Sequence, residues 1–169
     1  MNLTSTRRTF ALRFGSLLSA LGLTAAVLPT RGLAQSSPQD ANAIRKLNGE
    51  GKPGSEKDVI MPVIVHNGLI YVSGQGAHDS RDQKEWTIES HTTMVMDKIK
   101  KLVEVGGGTV DTILQTNVFL FKIEHWDAMT KVFATYFPHG GPSRTTVAVA
   151  ALPGDSLVEI NCIAAVTRK

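Results

Sequence analysis

The dipeptide Asn67-Gly68 lies between two β-branched, apolar runs, residues 59–65 and 69–73. Asn and Gly both tolerate the positive φ that a tight hairpin turn needs, so the chain is committed to an antiparallel strand pair at this point. Downstream, Ile88, Val95, Ile99 and Leu102 recur at helical spacing within residues 87–105, and Gly106-Gly107-Gly108 stops that helix. Residues 111–121 read as a further strand. Residues 124–137 place Trp126, Met129, Phe133 and Phe137 on one stripe and read as a second helix. Residues 145–152 and 157–166 read as two more strands, joined by Pro153-Gly154-Asp155. The order ββαβαββ predicts a single α+β domain, with one mainly antiparallel or mixed sheet and both helices on one face.

The first 34 residues have a different character. Arg7-Arg8 and Phe10 precede a mostly apolar stretch, residues 14–29, that is diluted by Gly15, Ser16, Ser19, Gly22 and Thr24. Such a stretch falls short of the roughly twenty apolar residues that span a bilayer. A charged segment, an apolar segment and then Gly32-Leu33-Ala34 describe a signal peptide cut between Ala34 and Gln35, with no permanent membrane association. The paired arginines resemble a twin-arginine signal, the alternative being an ordinary secretory signal that contains Arg-Arg, and the expected product, 35–169, is periplasmic or secreted. Its lead-in, 35–57, contains Pro38, Gly49, Gly51, Pro53 and Gly54 and predicts flexible or irregular chain, with order starting near Asp58.

The net charge of +3 belongs to that address segment. It holds four of the 18 basic residues and no acidic one, so 35–169 keeps 14 basic against 15 acidic side chains, a net of −1. Nucleic-acid binders need a basic excess to neutralise phosphate, and its disappearance argues against such a partner. His66, His78, His91, His125 and His139 show no metal-ligand spacing and read as surface or turn residues. Cys162, the one cysteine, has no partner for an intramolecular disulfide and is expected in the core.

Two charged residues stand out. Arg144 follows Gly140-Gly141-Pro142-Ser143, where a loop enters a strand; it reads either as a solvated strand-edge arginine or as a fork that takes a carboxylate in two parallel hydrogen bonds. Glu159 lies between Val158 and Ile160 in an apolar strand. It reads either as a rim carboxylate or, partly buried, as a general acid/base acting on a bound water. Ser73-Gly74-Gln75-Gly76 ends a strand with a hydroxyl, an amide and two glycines that permit close backbone approach; a plain turn explains it equally well. If the last two strands form a tight hairpin about Leu152 and Leu157, Arg144 pairs near Ala165 and Glu159 near Ala150. The two then stand roughly 20 Å apart at ~3.3 Å per residue. An enzymatic site using both would need a neighbouring subunit.

Four segments in register resemble the Rid (reactive intermediate deaminase, YjgF-like) family. They are Val72-Ser73-Gly74-Gln75, Val118-Phe119-Leu120, Pro142-Ser143-Arg144-Thr145-Thr146-Val147 with Leu152-Pro153, and Val158-Glu159-Ile160. The resemblance covers about residues 58–166. It implies a chorismate-mutase-like fold, a homotrimer with pockets between subunits, and hydrolysis of enamines or imines to 2-keto acids and ammonia without metal or organic cofactor. It implies that Arg144 holds the substrate carboxylate, that Glu159 positions or activates water, and that Ser73, Gly74, Gln75 and Thr146 line the pocket. The alternative is a non-catalytic module of the same fold that binds a small carboxylate. Three departures stand out: Val59-Ile60-Met61-Pro62 replaces the family's tyrosine-bearing Gly-Pro-Tyr-Ser, Thr146 stands where some members carry cysteine, and His91 and Lys98 replace a helical Gln and Asn.

Expression of the full chain in a bacterial host should yield a product whose N-terminal sequence begins at Gln35. Replacing Arg7-Arg8 by two lysines should leave the precursor uncut; a product that still begins at Met1 in the parent contradicts the leader.

Overall fold

The computed structural model describes residues 43–78 and 86–167, so the expected leader and its cut lie outside the described residues. Six strands are present: β1 (Arg45–Leu47), β2 (Val63–His66), β3 (Leu69–Gly76), β4 (Ile113–Leu120), β5 (Ser143–Ala148) and β6 (Val158–Ala165). Two helices accompany them, α1 (Ile88–Gly106) and α2 (Trp126–Thr135). One mixed sheet runs β1-β2-β3-β6-β4-β5, antiparallel throughout except for the parallel β4–β5 pair.

Local chemistry accounts for the elements. Asn67 (φ 50) and Gly68 (φ 74) take the left-handed conformations of a two-residue turn, and His66 pairs with Leu69 across it. β2 starts at Val63 rather than at residue 59, because Pro62 has no N–H for a ladder; only its carbonyl is used, by Ser73 N–H at 3.1 Å. Val59 and Ile60, read as strand, are 98% and 75% exposed. Helix α1 opens on a capping box: Thr87 Oγ1 accepts from Ser90 N–H (3.1 Å) and Ser90 Oγ from Thr87 N–H (3.2 Å). It closes at Gly107, φ 95, where Gly108 N–H bonds Val103 O at 3.0 Å. Gly106 sits on Ile70, where a Cβ would come 2.5 Å from Ile70 Cγ2, so the helix end approaches β3 as only glycine allows.

The lead-in expected to be irregular contributes a strand. Residues 45–47 pair with 63–65 and bury Leu47, and Asn48 Oδ1 closes the following turn by accepting from Glu50 and Lys52 N–H, both at 3.0 Å. A second correction concerns the last two strands, which form no hairpin. β4 lies between them, parallel to β5 (Thr116 beside Arg144) and antiparallel to β6 (Thr116 beside Cys162). The connection from β4 to β5 passes through α2, a crossover of the kind a parallel pair requires.

Strand alternation sets the faces. Val158, Ile160, Cys162 and Ala164 are buried with Thr116, Val118 and Leu120, under α1 and α2. Glu159, Asn161 and Ile163 point to the other face with Asn117 and Phe119. Cys162 is a buried free thiol whose pKa burial pushes up to about 12, which leaves it protonated and inert, as its apolar strand predicts.

Thr87→Ala removes one half of the capping box, and its expected cost is about 1 kcal/mol. Urea unfolding should show a lower midpoint with an unchanged slope; an unchanged midpoint contradicts the cap.

Candidate functional site

The expected site residues fall into two groups. Arg144 and Thr146 stand beside Thr116 and Val118 and therefore face the helices. The Arg144 guanidinium donates to Thr130 Oγ1 of α2 at 3.1 Å and lies over the rings of Phe133 (4.9 Å) and Trp126 (5.6 Å). Burial lowers its pKa from the ordinary value, yet a guanidinium stays cationic at neutral pH. Among the described residues the one ion pair is Lys52–Glu50 at 2.9 Å, so Arg144 has no carboxylate partner there. Two hydroxyls on the same face, Thr116 Oγ1 and Thr146 Oγ1, are buried without a hydrogen-bond partner among the described residues. A fixed cation and two unsatisfied hydroxyls make a patch suited to a small anion.

The second group lies across the sheet. β3 is irregular between Val72 and Gln75, so Ser73 and Gly74 together oppose Asn161. Gln75 Nε2 donates back to Ser73 Oγ (3.0 Å), Ser73 O (3.1 Å) and Gly74 O (3.0 Å), which knots the bulge. The carboxylate of Glu159 rests on this bulge: a Cβ built on Gly74 would overlap Glu159 Oε1. Gly74 is thus glycine because Glu159 needs the space. Next to Glu159, Asn117 Nδ2 donates to Asn161 Oδ1 at 2.9 Å.

Polar pins that the sequence did not single out for this role hold β6 against β3. The Ser156 hydroxyl accepts from Ala77 N–H (2.9 Å) and donates to Val158 O (2.6 Å). Lys98 Nζ reaches from α1 to Gly76 O at 3.0 Å. His91, expected at the surface or in a turn, is fully buried in α1; its Nδ1 accepts from Leu157 N–H at 3.0 Å and its ring meets Trp86 edge-on at 4.4 Å. An imidazole at that place is a structural acceptor for the segment leading into Glu159. The departures at His91 and Lys98 were visible signals; Ser156 and Thr116 carried none.

Within one chain the two groups do not meet. Arg144 shares a row with Thr116 and Glu159 a row with Phe119, so they are three residues apart along the ladder and two strands apart across it. That is about 10 Å in each direction, and the side chains leave opposite faces. The hairpin does not exist, and the separation is about 14 Å rather than the roughly 20 Å it would give. A cavity of about 320 Å³ bounded by Trp86, Phe121, Leu152 and Leu157 includes none of the expected site residues. No group of three or more His, Cys, Asp or Glu that could hold a metal occurs among the described residues.

Residues 59–166 match the family model described as Endoribonuclease L-PSP. The chain is 34% identical over 101 residues to Protein mmf2, mitochondrial, of Schizosaccharomyces pombe, covering 58% of this chain and 80% of that protein. It is 37% identical over 101 residues to Protein HMF1 of Saccharomyces cerevisiae, covering 59% and 78%. Among solved structures, a protein of unknown function of the conserved Rid protein family from Yersinia pestis aligns with a TM-score of 0.64 at 34% identity, over 73% of this chain and 100% of that one.

Burial holds the His91 pKa below the ordinary imidazole value of about 6.5. The unfolded chain therefore binds a proton that the folded one refuses, and stability present above about pH 6.5 falls as pH drops through 6.5 toward the lowered folded value. Urea midpoints at pH 7.5 and 5.5 should differ less in His91→Gln than in the parent. An equal difference contradicts the role given to this ring.

Proposed function

The chain belongs to the Endoribonuclease L-PSP (YjgF/Rid) family, and from that membership we propose a cofactor-independent hydrolase of 2-imino and 2-enamino acids, releasing 2-keto acids and ammonia. The observation that carries the reading is Arg144: half-buried, cationic, without a carboxylate partner among the described residues, and beside two unpartnered threonine hydroxyls. A planar 2-imino acid offers the carboxylate that such a fork takes. Its imine carbon then projects away from the guanidinium, toward whatever group supplies water. In the proposal that group is Glu159, whose carboxylate rests on the Ser73-Gly74-Gln75 bulge. Glu159 takes a proton as the water oxygen bonds to the imine carbon; the C=N electron pair moves to nitrogen, which takes up a proton from solvent to give the carbinolamine. The protonated Glu159 then delivers its proton to that nitrogen as ammonia leaves with the C–N pair and the hydroxyl proton is released to form the keto group.

Because the two groups occupy opposite faces of one sheet, the working unit in this proposal is an oligomer, with Arg144 of one subunit facing Glu159 of another. Three copies around an axis are what the family resemblance implies. Exposed Tyr71, Leu114 and Val147 supply apolar surface for such contacts. The family description invokes ribonuclease activity, but 14 basic against 15 acidic residues in 35–169 leave no basic excess to hold a phosphate chain. A second reading, carboxylate binding without turnover, is favoured by one observation. Exposed Val59 and Ile60 stand where the resemblance expects a pocket tyrosine. Export and the periplasmic or secreted location remain part of the proposal, resting on the first 34 residues alone.

Purified 35–169 protein should release ammonia and keto acid from freshly generated 2-imino acids. Arg144→Ala should lower kcat/KM roughly 100-fold, and Glu159→Gln should lower kcat by roughly the same factor. Turnover undiminished in Arg144→Ala removes the hydrolase reading; saturable binding with no product moves the function to the binding module.

A further inference from the structure

The proposed hydrolysis moves protons at two places: one leaves the attacking water, and others must reach the departing nitrogen. Glu159 is a single carboxylate. The residue beside it is His78, in the turn after β3.

Gly76 is the direct cross-strand partner of Glu159, so a side chain on Gly76 would share the face of Glu159. No side chain is there, and the His78 imidazole occupies that space. A Cβ on Gly76 would lie 2.5 Å from His78 Cε1 and 2.6 Å from Nε2, and a Cβ on Gly154 would lie 2.5 Å from Nδ1. The ring is thus slotted between two backbones, each a glycine. Gly154 also has a φ of 62, which few other residues would accept. Two residues back on the same face, Gly74 supports the Glu159 carboxylate. Same-face positions on a strand repeat every ~6.6 Å, so imidazole and carboxylate stand over neighbouring positions. Among the described residues they form no ion pair with each other. His78 Nδ1 is buried and has no hydrogen-bond partner among the described residues. Among the described residues, the other charged groups around the slot are Lys98, bonded to Gly76 O from α1, and Asp155, next to Gly154 in the turn.

We infer that His78 is the second proton carrier of the Glu159 site, a role that rests on the hydrolase reading. Imidazole suits it because it can both give and take a proton near neutral pH. As the water oxygen bonds to the imine carbon, Glu159 takes a water proton, the C=N pair moves to nitrogen, and the imidazolium protonates that nitrogen. The protonated Glu159 then delivers the next proton to nitrogen. The C–N bond breaks with its electron pair leaving on ammonia, and the carbinolamine hydroxyl returns a proton to the imidazole as the keto group forms. Both side chains end as they began.

The test compares the parent 35–169 protein with His78→Gln on 2-imino acids across pH 5.5 to 9. The expected result is a kcat at least about tenfold lower with KM within about twofold, one limb of the kcat–pH profile lost, and partial rescue by added imidazole. A folded His78→Gln protein with parental kcat and pH profile overturns the inference, as does loss of activity that imidazole never restores. A parent protein without turnover sinks the hydrolase reading and the catalytic role with it.

Discussion

Strand β6 is the constraint on which the domain depends. It pairs on both edges, with β3 and with β4, so Glu159, Ile160, Cys162, Ile163 and Ala164 are each held from two sides. Its alternation is strict: Val158, Ile160, Cys162 and Ala164 enter the core, while Glu159, Asn161 and Ile163 do not. A one-residue slip would drive Glu159 and Asn161 under α1 and expose four core residues, which the desolvation of a carboxylate forbids. Register is therefore set by the same residues that deliver Glu159 to the open face. Ser156, His91 and Lys98 fix the strand entrance and its neighbour β3 from the loop and helix side.

What the sequence made legible was local. Asn67-Gly68, the glycines after α1 and the Trp126, Met129 and Phe133 stripe each specify their element through short-range geometry, and each element is found. Placement of β5 was not legible, because the short turn at 153–155 imitates a hairpin. The actual partner of β5 is β4, reached through α2, and no local signal states that choice. β1 was missed because three residues carry no measurable period; its evidence is pairing with β2. The site was legible as chemistry but not as geometry. Arg144 and Glu159 stand out as charges in apolar strands, whereas Thr116 and Ser156 matter only through atoms distant in the chain.

The two halves of the candidate site are built on different physical principles. The Arg144 half is a preorganised cation, laid over aromatic rings and flanked by unsatisfied hydroxyls, so an incoming carboxylate replaces missing contacts rather than breaking existing ones. The Glu159 half is a close-approach site, where three glycines at 74, 76 and 154 clear room for a carboxylate and an imidazole. Rigid strands hold both halves, and a single sheet keeps them on opposite faces. In the proposed hydrolase, assembly is part of the chemistry, because there only a second copy brings an Arg144 to a given Glu159.

That claim is tested most directly by mixing the two impaired variants. Arg144→Ala and Glu159→Gln chains, unfolded together and refolded as hybrids, are expected to hydrolyse 2-imino acids well above the residual rate of either variant alone, since some interfaces then hold one intact residue from each chain. Hybrids confirmed to contain both chains, yet as inactive as either variant, would contradict a site shared between subunits.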